Sequence, residues 1–505
     1  MDIAPGFPAF ASAYEAGQAQ AVYVRLIADL ETPVSAFLKL AEGQADAFLF
    51  ESVQGGETRG RYSIIGLKPD LIWRCRDGKA EIRNGVSPSG AGFSPDANAT
   101  DPLTSLKRLV KETQMELPKE LPPMAVGLFG YLGYDIVRHI ERLPSPPPDR
   151  MGLPDAIMLR PTIVAVFDNI RDEIIVVTPV WSNPKLSARA AYAQAEERLG
   201  EIVKALEHAE IASDSPAAKA ILGPAESNTS HADYLAIVKK AKEYILAGDI
   251  FQVVPSQRFR RKFSLPPFYL YRALRRLNPS PFLYFLNFSG FAIVGSSPEI
   301  LVRLRDGKIT IRPIAGTRPR GTGEAEDKRL ADELLADPKE RAEHLMLLDL
   351  GRNDVGRVAE TGTVTVTDQF FIERYSHVMH LVSNVEGRIR AGIDAVDALA
   401  AGFPAGTLSG APKVRAMEII DELEKEKRGV YAGAVGYFAA NGSMDTCIVL
   451  RTAVVKDGIM YVQAGGGVVA DSDPEAEYQE TVNKAKALMV AADEAVRYSG
   501  TSNRR

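Results

Sequence analysis

Residues 463–484 read Gln463-Ala464-Gly465-Gly466-Gly467-Val468-Val469-Ala470-Asp471-Ser472-Asp473-Pro474-Glu475-Ala476-Glu477-Tyr478-Gln479-Glu480-Thr481-Val482-Asn483-Lys484. The run Ile459–Gln463 that leads into the glycines reads as a strand. Glycines in such a turn permit positive φ and let a ligand approach the backbone closely. Free N–H groups there can hold an anion. Asp473 reads as an N-cap and Pro474 as the first helical residue. Glu477, Glu480 and Lys484 lie three and four apart, so they share one helix face. A carboxylate-binding turn beside a helix that shows two acids fits an anionic substrate held partly through a metal. The plainer reading of the same residues is a glycine loop followed by a surface helix with a solvated charged face.

The chain has 505 residues, enough for two or more domains or one large composite α/β unit. Its formal net charge of -5 gives no argument for nucleic acid or an anionic membrane surface. No apolar run is long enough to span a bilayer. The only cysteines are Cys75 and Cys447, which fits a reducing cytosol and excludes a disulfide scaffold. Neither has a partner at metal-ligand spacing, and neither sits between glycines as a nucleophile on a tight elbow would.

Working outward, Met1–Gln20 reads as a loose leader without the charge or apolar core of a signal peptide. A first region covers 21–215 and a second 216–505, with the main boundary in the polar, proline-bearing stretch Glu210–Ser230. Predicted strands in the first region are Ala21–Leu30, Ala47–Ser52, Arg61–Leu67, Leu71–Arg76 and Ala125–Tyr131, then a hairpin of Ile157–Asp168 with Glu173–Pro179. Its helices are Pro33–Glu42, Pro102–Thr113 and Leu186–Leu206. In the second region Ser230 caps a helix ended by Gly248, and Ile250–Phe259 follows as a strand. Phe282–Phe288, Gly290–Gly295 and Ile300–Arg305 form a meander, Lys308–Ile314 is a further strand, and Pro313–Gly321 reads as a basic loop. Asp327–Leu350 is helical, Ala405–Lys413 is a loop before the helix Val414–Glu424, and Tyr431–Ala439 and Asp445–Val455 are strands. This count says α/β or α+β. Periodicity leaves the topology open.

Several strings fall in register along this plan: Arg312-Pro313-Ile314-Ala315-Gly316-Thr317-Arg318-Pro319-Arg320, Glu343-His344-Leu345-Met346-Leu347-Leu348-Asp349-Leu350-Gly351-Arg352-Asn353-Asp354, Tyr375-Ser376-His377-Val378-Met379-His380, Gly406-Thr407-Leu408-Ser409-Gly410-Ala411-Pro412-Lys413 and Asp445-Thr446-Cys447-Ile448-Val449-Leu450-Arg451. Together with residues 463–484 they resemble the chorismate-binding enzymes, and within them the branch of anthranilate synthase large subunits. The resemblance implies an α/β (α+β) unit of two packed antiparallel β-sheets flanked by helices, with the active site in the cleft between the layers. It implies amination of chorismate at C2 followed by loss of pyruvate, a lyase reaction of tryptophan biosynthesis.

By that resemblance Glu343 and Glu480 hold Mg²⁺ against the ring carboxylate, with Glu340 and Glu477 acting through water. Arg451, Tyr431 and the backbone of Gly465, Gly466 and Gly467 take the enolpyruvyl carboxylate, for which an Arg fork is suited. Gly316 and Thr317 line the same pocket. Glu299 matches the acid that protonates the departing C4 hydroxyl, and His380 the histidine of the pyruvate-loss stage. Thr407 and Lys484 are further pocket candidates. Relatives that add water carry a lysine base where this chain has Gln252, and relatives that make aminodeoxychorismate carry a lysine nucleophile where it has Ala315. These two positions select ammonia as nucleophile without a covalent enzyme intermediate.

Glu51-Ser52 and Asn278-Pro279-Ser280-Pro281-Phe282-Leu283 resemble the parts of the family that bind L-tryptophan, the feedback inhibitor. Ser52 would meet the amino-acid head group, and Pro281, Phe282 and Leu283 would flank the indole. Phe48 and Phe50 stand where the family commonly has leucines. No glutaminase segment is present, so the resemblance implies ammonia from a separate glutamine amidotransferase subunit in a hetero-oligomer. Alternatives are aminodeoxychorismate synthase, against which Ala315 speaks, and an aminodeoxyisochorismate synthase, which retains the pyruvate. An isochorismate or salicylate synthase is opposed by Gln252, and a silent tryptophan-binding sensor by the full catalytic set.

Overall fold

The computed structural model describes residues 1–41, 43–54, 58–85, 92–209, 222–375 and 378–498. Two strands shape it, Thr58–Arg76 and Ala156–Asp168, which pair antiparallel over most of their length. The pairing shifts between Pro69 and Leu71, where prolines at 69 and 161 face each other and neither can donate to the ladder. Each strand therefore belongs to one layer before the shift and to another after it.

The first layer runs Ile3–Ala4, Gln20–Ile27, Glu173–Val180, the two long strands, Ala47–Gln54, Phe282–Phe288, Phe291–Ser297, Thr452–Lys456, Ile459–Gly465, Ser256–Lys262 and Glu226–Ser227. The second runs Ser94–Pro95, Lys79–Asn84, the two long strands, Gly127–Leu132, Ala434–Ala439, Met444–Ile448, Ile300–Arg305, Lys308–Ile311 and Val378–Arg388. Val378–Arg388 also pairs with Ile314–Pro319 and Thr365–Arg374. All these pairs are antiparallel. Strands from both sides of residue 215 pair directly, as Ala47–Gln54 does with Phe282–Phe288 and Gly127–Leu132 with Ala434–Ala439.

Alternation along the long strand shows which faces are covered. Ile64 and Ile72 enter a core between the layers, shared with Phe129, Val166 and Ile293. Ile65 turns outward beneath helix residues Leu40, Leu199 and Leu488. Trp73 turns outward beneath Leu106, Leu399 and Met417. Helices thus cover the outer faces of two packed antiparallel layers, as expected for this fold class.

Several expectations need correction. Met1–Gln20 is not loose: Phe7–Glu15 is a helix whose Phe10 and Tyr14 are buried in the outer core. Arg61–Leu67 and Leu71–Arg76 are one strand. The strand expected over Ile250–Phe259 breaks at Pro255, which has no N–H for a ladder, into Gln252–Val253 and Ser256–Lys262. Ile314–Pro319, read as loop, is a strand that bulges between Ala315 and Thr317. Asp327–Leu350 is two helices, Glu324–Ala336 and Pro338–Gly356, because Asp337 caps the second and Pro338 opens it. The strand over Asp445–Val455 is interrupted at Arg451, which takes φ 49°. The loop Ala405–Lys413 holds one helical turn, Gly406–Ser409. Ser376, His377 and most of the Glu210–Ser230 stretch lie outside the described residues.

Candidate active site

Two helices bring the acids together. Asp337 caps Pro338–Gly356, accepting from the Lys339 and Glu340 N–H groups, and Asp473 caps Pro474–Ala495, accepting from Ala476 N–H at 2.9 Å. A Lys339–Asp471 ion pair at 3.0 Å joins the approach to one helix with the start of the other. Glu343 is pushed above the ordinary carboxylate range first by burial, and the nearby Glu340 and Glu480 push the same way. Burial also raises Glu477, whose Oε1 accepts from Ser472 Oγ at 2.7 Å while its Oε2 is buried without a partner. Lys484 bridges Glu480, at 2.6 Å, and the carbonyl of Gly465, at 2.9 Å. Lys484 thus pairs with Glu480, and Arg318 pairs with Glu340 at 3.1 Å. Glu343 and Glu477 stay raised by burial, with Lys339 and Lys484 acting on them only at a distance, a pair of acids that a divalent cation would complement.

The glycine turn works by close approach. None of Gly465, Gly466 and Gly467 has positive φ, contrary to one part of the sequence reading. A Cβ on Gly465 would stand 2.8 Å from Pro255 O and 2.9 Å from Tyr431 Oη. One on Gly466 would stand 2.7 Å from Glu477 Oε2, and one on Gly467 2.6 Å from Gln252 Nε2. The N–H groups are also not all free, since Gly466 donates to Pro255 O at 3.2 Å. Gln252, on the short strand paired with Gly410–Ala411, donates from Nε2 to Glu343 Oε1 at 3.2 Å. That bond sets the amide's orientation and leaves Oε1 buried and unpartnered.

Glu299 sits between the strands Phe291–Ser297 and Ile300–Arg305. Burial raises its pKa, against the pull of Arg451, a hydrogen bond from Thr407 Oγ1 at 3.2 Å, and Lys484. Arg451, at the strand interruption, is itself pushed down by burial and supported by Glu299 and Tyr375. Tyr431 is buried over Arg428, its ring centroid 5.5 Å from the guanidinium carbon. Gly316 has φ 68°, which favours glycine, and its carbonyl accepts from His380 Nδ1 at 3.0 Å. A carbonyl only accepts, so Nδ1 carries the proton and Nε2 keeps its lone pair. Thr317 Oγ1 lies 3.1 Å from the same Nδ1. Burial holds His380 down to about 4, opposed by the Gly316 bond and helped by Arg451, so the ring is neutral near pH 7.

Glu299, Thr407, Arg451, Lys484, His380, Gly316 and Thr317 are therefore linked by contacts or mutual charge effects, and Lys484, paired with Glu480, joins them to the acids. Tyr375 was not singled out from sequence. Its ring meets His380 edge-on at 5.4 Å, and its place five residues before that histidine in one motif was the available signal. Ser52, Pro281, Phe282 and Leu283 gather elsewhere, on a cavity of about 670 Å³ between the layers. Pro298 and Tyr375 form part of that cavity's wall, so it lies next to the cluster around Glu299 and His380. Cys75 and Cys447 are buried, and burial pushes both thiols up, so neither is a ready nucleophile.

Comparison with known proteins gives a consistent result. The sequence pattern of the chorismate binding enzymes matches residues 48–490. Anthranilate synthase component 1 of Cereibacter sphaeroides is 60% identical over 489 residues, covering 97% of each chain. Its counterpart in Pseudomonas aeruginosa is 50% identical over 471 residues, covering 92% of this chain and 94% of that one. The crystal structure of anthranilate synthase component I from Streptococcus pneumoniae superposes with a TM-score of 0.73 at 38% identity, covering 85% of this chain and 92% of that one.

Proposed function

We propose, from the premise that this chain belongs to the chorismate binding enzymes, that it is the synthase component of an anthranilate-forming pair in tryptophan biosynthesis. Ammonia adds at C2 of chorismate and the C4 hydroxyl leaves as water. Loss of the C2 proton with cleavage of the C3–oxygen bond then releases pyruvate and an aromatic ring. The observation that carries this reading is Gln252. Its amide, fixed by Glu343, cannot deprotonate water, whereas ammonia is a nucleophile without help. Ala315 offers no amine for a covalent adduct.

Glu299 supplies the proton to the leaving hydroxyl. Its raised pKa keeps the acid form available, and Thr407 orients the carboxyl. General acid help of this kind contributes roughly 10²–10⁴-fold. His380 stands ready as a base for the second stage, neutral and with Nε2 free to take the C2 proton. Arg451 and Tyr431, beside the glycine turn, would receive the enolpyruvyl carboxylate.

The acids fit Mg²⁺. Glu477 Oε2 is buried without a partner, and Glu340 and Glu480 help raise Glu343, so a cation would relieve all of them. Among the described residues no three His, Cys, Asp or Glu side chains cluster as a closed metal site. A pair of carboxylates suits an ion that keeps several waters. Glu343 and Glu480 would hold it, with Glu340 and Glu477 acting through water. When bound, it supplies positive charge against the ring carboxylate.

The interlayer cavity holding Ser52 and Pro281–Leu283 has room for an amino acid and fits L-tryptophan as feedback inhibitor. The relatives are named component 1, which supports a separate glutamine amidotransferase as ammonia source in a hetero-oligomer. Among the described residues no helix is long and apolar enough to cross a membrane, in keeping with work in the cytoplasm. The test is anthranilate fluorescence from the purified chain with chorismate, Mg²⁺ and an ammonium salt at alkaline pH, with and without L-tryptophan. Fluorescence that needs Mg²⁺ and falls with tryptophan is expected. Chorismate consumed without anthranilate overturns the pyruvate-loss step, and no consumption overturns the enzymatic reading.

A further inference from the structure

We infer that His344 is a positioning residue: through Ser383 it fixes the helix carrying Glu343 against the strand carrying His380, holding the acidic and histidine ends of the site at one separation. The inference rests on the reading above only in taking those two ends as parts of one site.

His344 follows Glu343 in the helix Pro338–Gly356 and is fully buried. Its Nε2 lies 2.6 Å from Oγ of Ser383, which is also fully buried. Ser383 lies on Val378–Arg388, three residues beyond His380. Side chains alternate along a strand, so an odd separation puts the two on opposite faces. His344 therefore holds the strand from the face opposite the one that shows His380.

Ser383 is also a junction for the backbone around it. Its N–H donates to Pro313 O at 3.1 Å, where Lys308–Ile311 gives way to the strand bearing Gly316 and Thr317. Its Oγ accepts from the N–H of Phe370 at 3.1 Å. Phe370 has φ 53° and lies where the pairing of Thr365–Arg374 shifts between Asp368 and Phe371. The Phe370 ring then packs edge-on against His344 at 5.1 Å, with the Arg341 guanidinium 4.6 Å from its centroid. One serine thus joins the helix of Glu343, the bulge at Phe370, the hinge before Gly316 and the strand of His380. A bond of this kind contributes little as net stability, but losing it leaves a buried polar group unpaired in a place that sets geometry. Partners that hydrogen-bond a metal ligand directly change affinity by roughly 10–100-fold, and His344 acts one step further out, through the helix that carries Glu343.

His344→Phe keeps an aromatic ring and removes the bond. His344→Gln can return a hydrogen-bonding amide, donor or acceptor, to Ser383. Ser383→Ala removes the bond from the other side with little change in volume. The full chain is titrated with Mn²⁺ and followed by electron paramagnetic resonance, with chorismate present and no ammonium salt. Hydrogen exchange is measured over 365–388. Expected is Mn²⁺ affinity weaker by roughly 10-fold, the low end of that range, in His344→Phe and Ser383→Ala, with faster exchange at Phe370. The double variant should be no worse than either single one, and His344→Gln should stay close to the unsubstituted chain. Unchanged affinity and exchange in Ser383→Ala overturns the inference, even where His344→Phe fails to fold. So does additivity of the two substitutions, or a Gln variant as poor as the Phe variant. Should the unsubstituted chain take up no Mn²⁺, the metal reading falls. Exchange at Phe370 then decides this inference alone, with an unchanged rate overturning it.

Discussion

Thr407 Oγ1 donates to Glu299 Oε2 at 3.2 Å, one of three influences that oppose the effect of burial on that acid. Burial raises the pKa, while Arg451, Thr407 and Lys484 hold it back. Glu299→Gln should cut chorismate consumption by roughly 10²–10⁴-fold without loss of fold. Thr407→Val removes one lowering influence, so the acid form should persist to higher pH. The alkaline limb of kcat then moves up, and Thr407→Ser leaves it in place. A limb that stays put in the Val variant would show that Glu299 is not the group titrating there.

The glycine turn separates two kinds of obstruction. A Cβ at Gly466 meets the end of a flexible side chain, Glu477 Oε2 at 2.7 Å, whereas one at Gly465 meets backbone, Pro255 O at 2.8 Å. Gly466→Ala should displace the Glu477 carboxylate, raise the KM for chorismate and the Mg²⁺ requirement, and leave the melting temperature nearly unchanged. Gly465→Ala should lower melting temperature and activity together, because the paired strand Ser256–Lys262 must move. Steady-state kinetics beside thermal melts test this, and the reverse ranking would contradict it.

The same contrast shows what was legible before the structure. Glu477, Glu480 and Lys484 could be placed on one face because helical spacing is local, and Glu340 and Glu343 likewise. The layer arrangement was legible only through resemblance, because the two strands that pass between layers read as ordinary segments. The break at Arg451 was hidden inside an apolar run whose β-propensity continues through it, although the backbone turns to φ 49° there. The strand bearing His380 went unassigned because residues 379–383 are buried on both faces, so no period-two pattern marks it. Pro255 carried a break signal that the apolar run around it concealed, and Pro338 one that the helix-forming residues on either side of it concealed.

His380 links the site to acid stability. Its pKa in the folded chain falls from 6.5 to about 4 through burial. Unfolded chains therefore bind more protons at this position between those pH values, and stability from this residue is lost as pH falls from 6.5 toward 4. One buried histidine with such a shift contributes about 3 kcal/mol across the interval. Urea unfolding at pH 7 and pH 4.5 should show a smaller loss for His380→Gln than for the unsubstituted chain. Equal losses would mean the imidazole reaches water before unfolding.

Ser52 lies on the interlayer cavity with Pro281–Leu283. Ser52→Leu should fill part of the space a tryptophan needs and remove the hydroxyl that would meet its head group. Inhibition by L-tryptophan should weaken by an order of magnitude or more, with kcat and the KM for chorismate kept. Isothermal titration with L-tryptophan gives a second reading. Unchanged inhibition would place the inhibitor elsewhere.

Lys413 and Asp354 form a buried ion pair at 2.8 Å between the helix that carries Glu343 and the segment that follows Thr407. Burial raises Asp354 and Lys413 opposes it, so each partner makes the other tolerable. Removing one charge leaves the second buried alone, which costs about 3–5 kcal/mol, whereas replacing both with apolar groups is often neutral. Lys413→Met should lower the urea midpoint sharply. Lys413→Met with Asp354→Leu should recover most of the loss. Activity separates packing from positioning, because the pair spans the helix that carries Glu343 and the segment that follows Thr407. A double variant that regains stability but not turnover assigns the pair a geometric role in the site. One that regains both leaves it a stabilising contact alone, and single variants as stable as the unsubstituted chain would contradict the pairing.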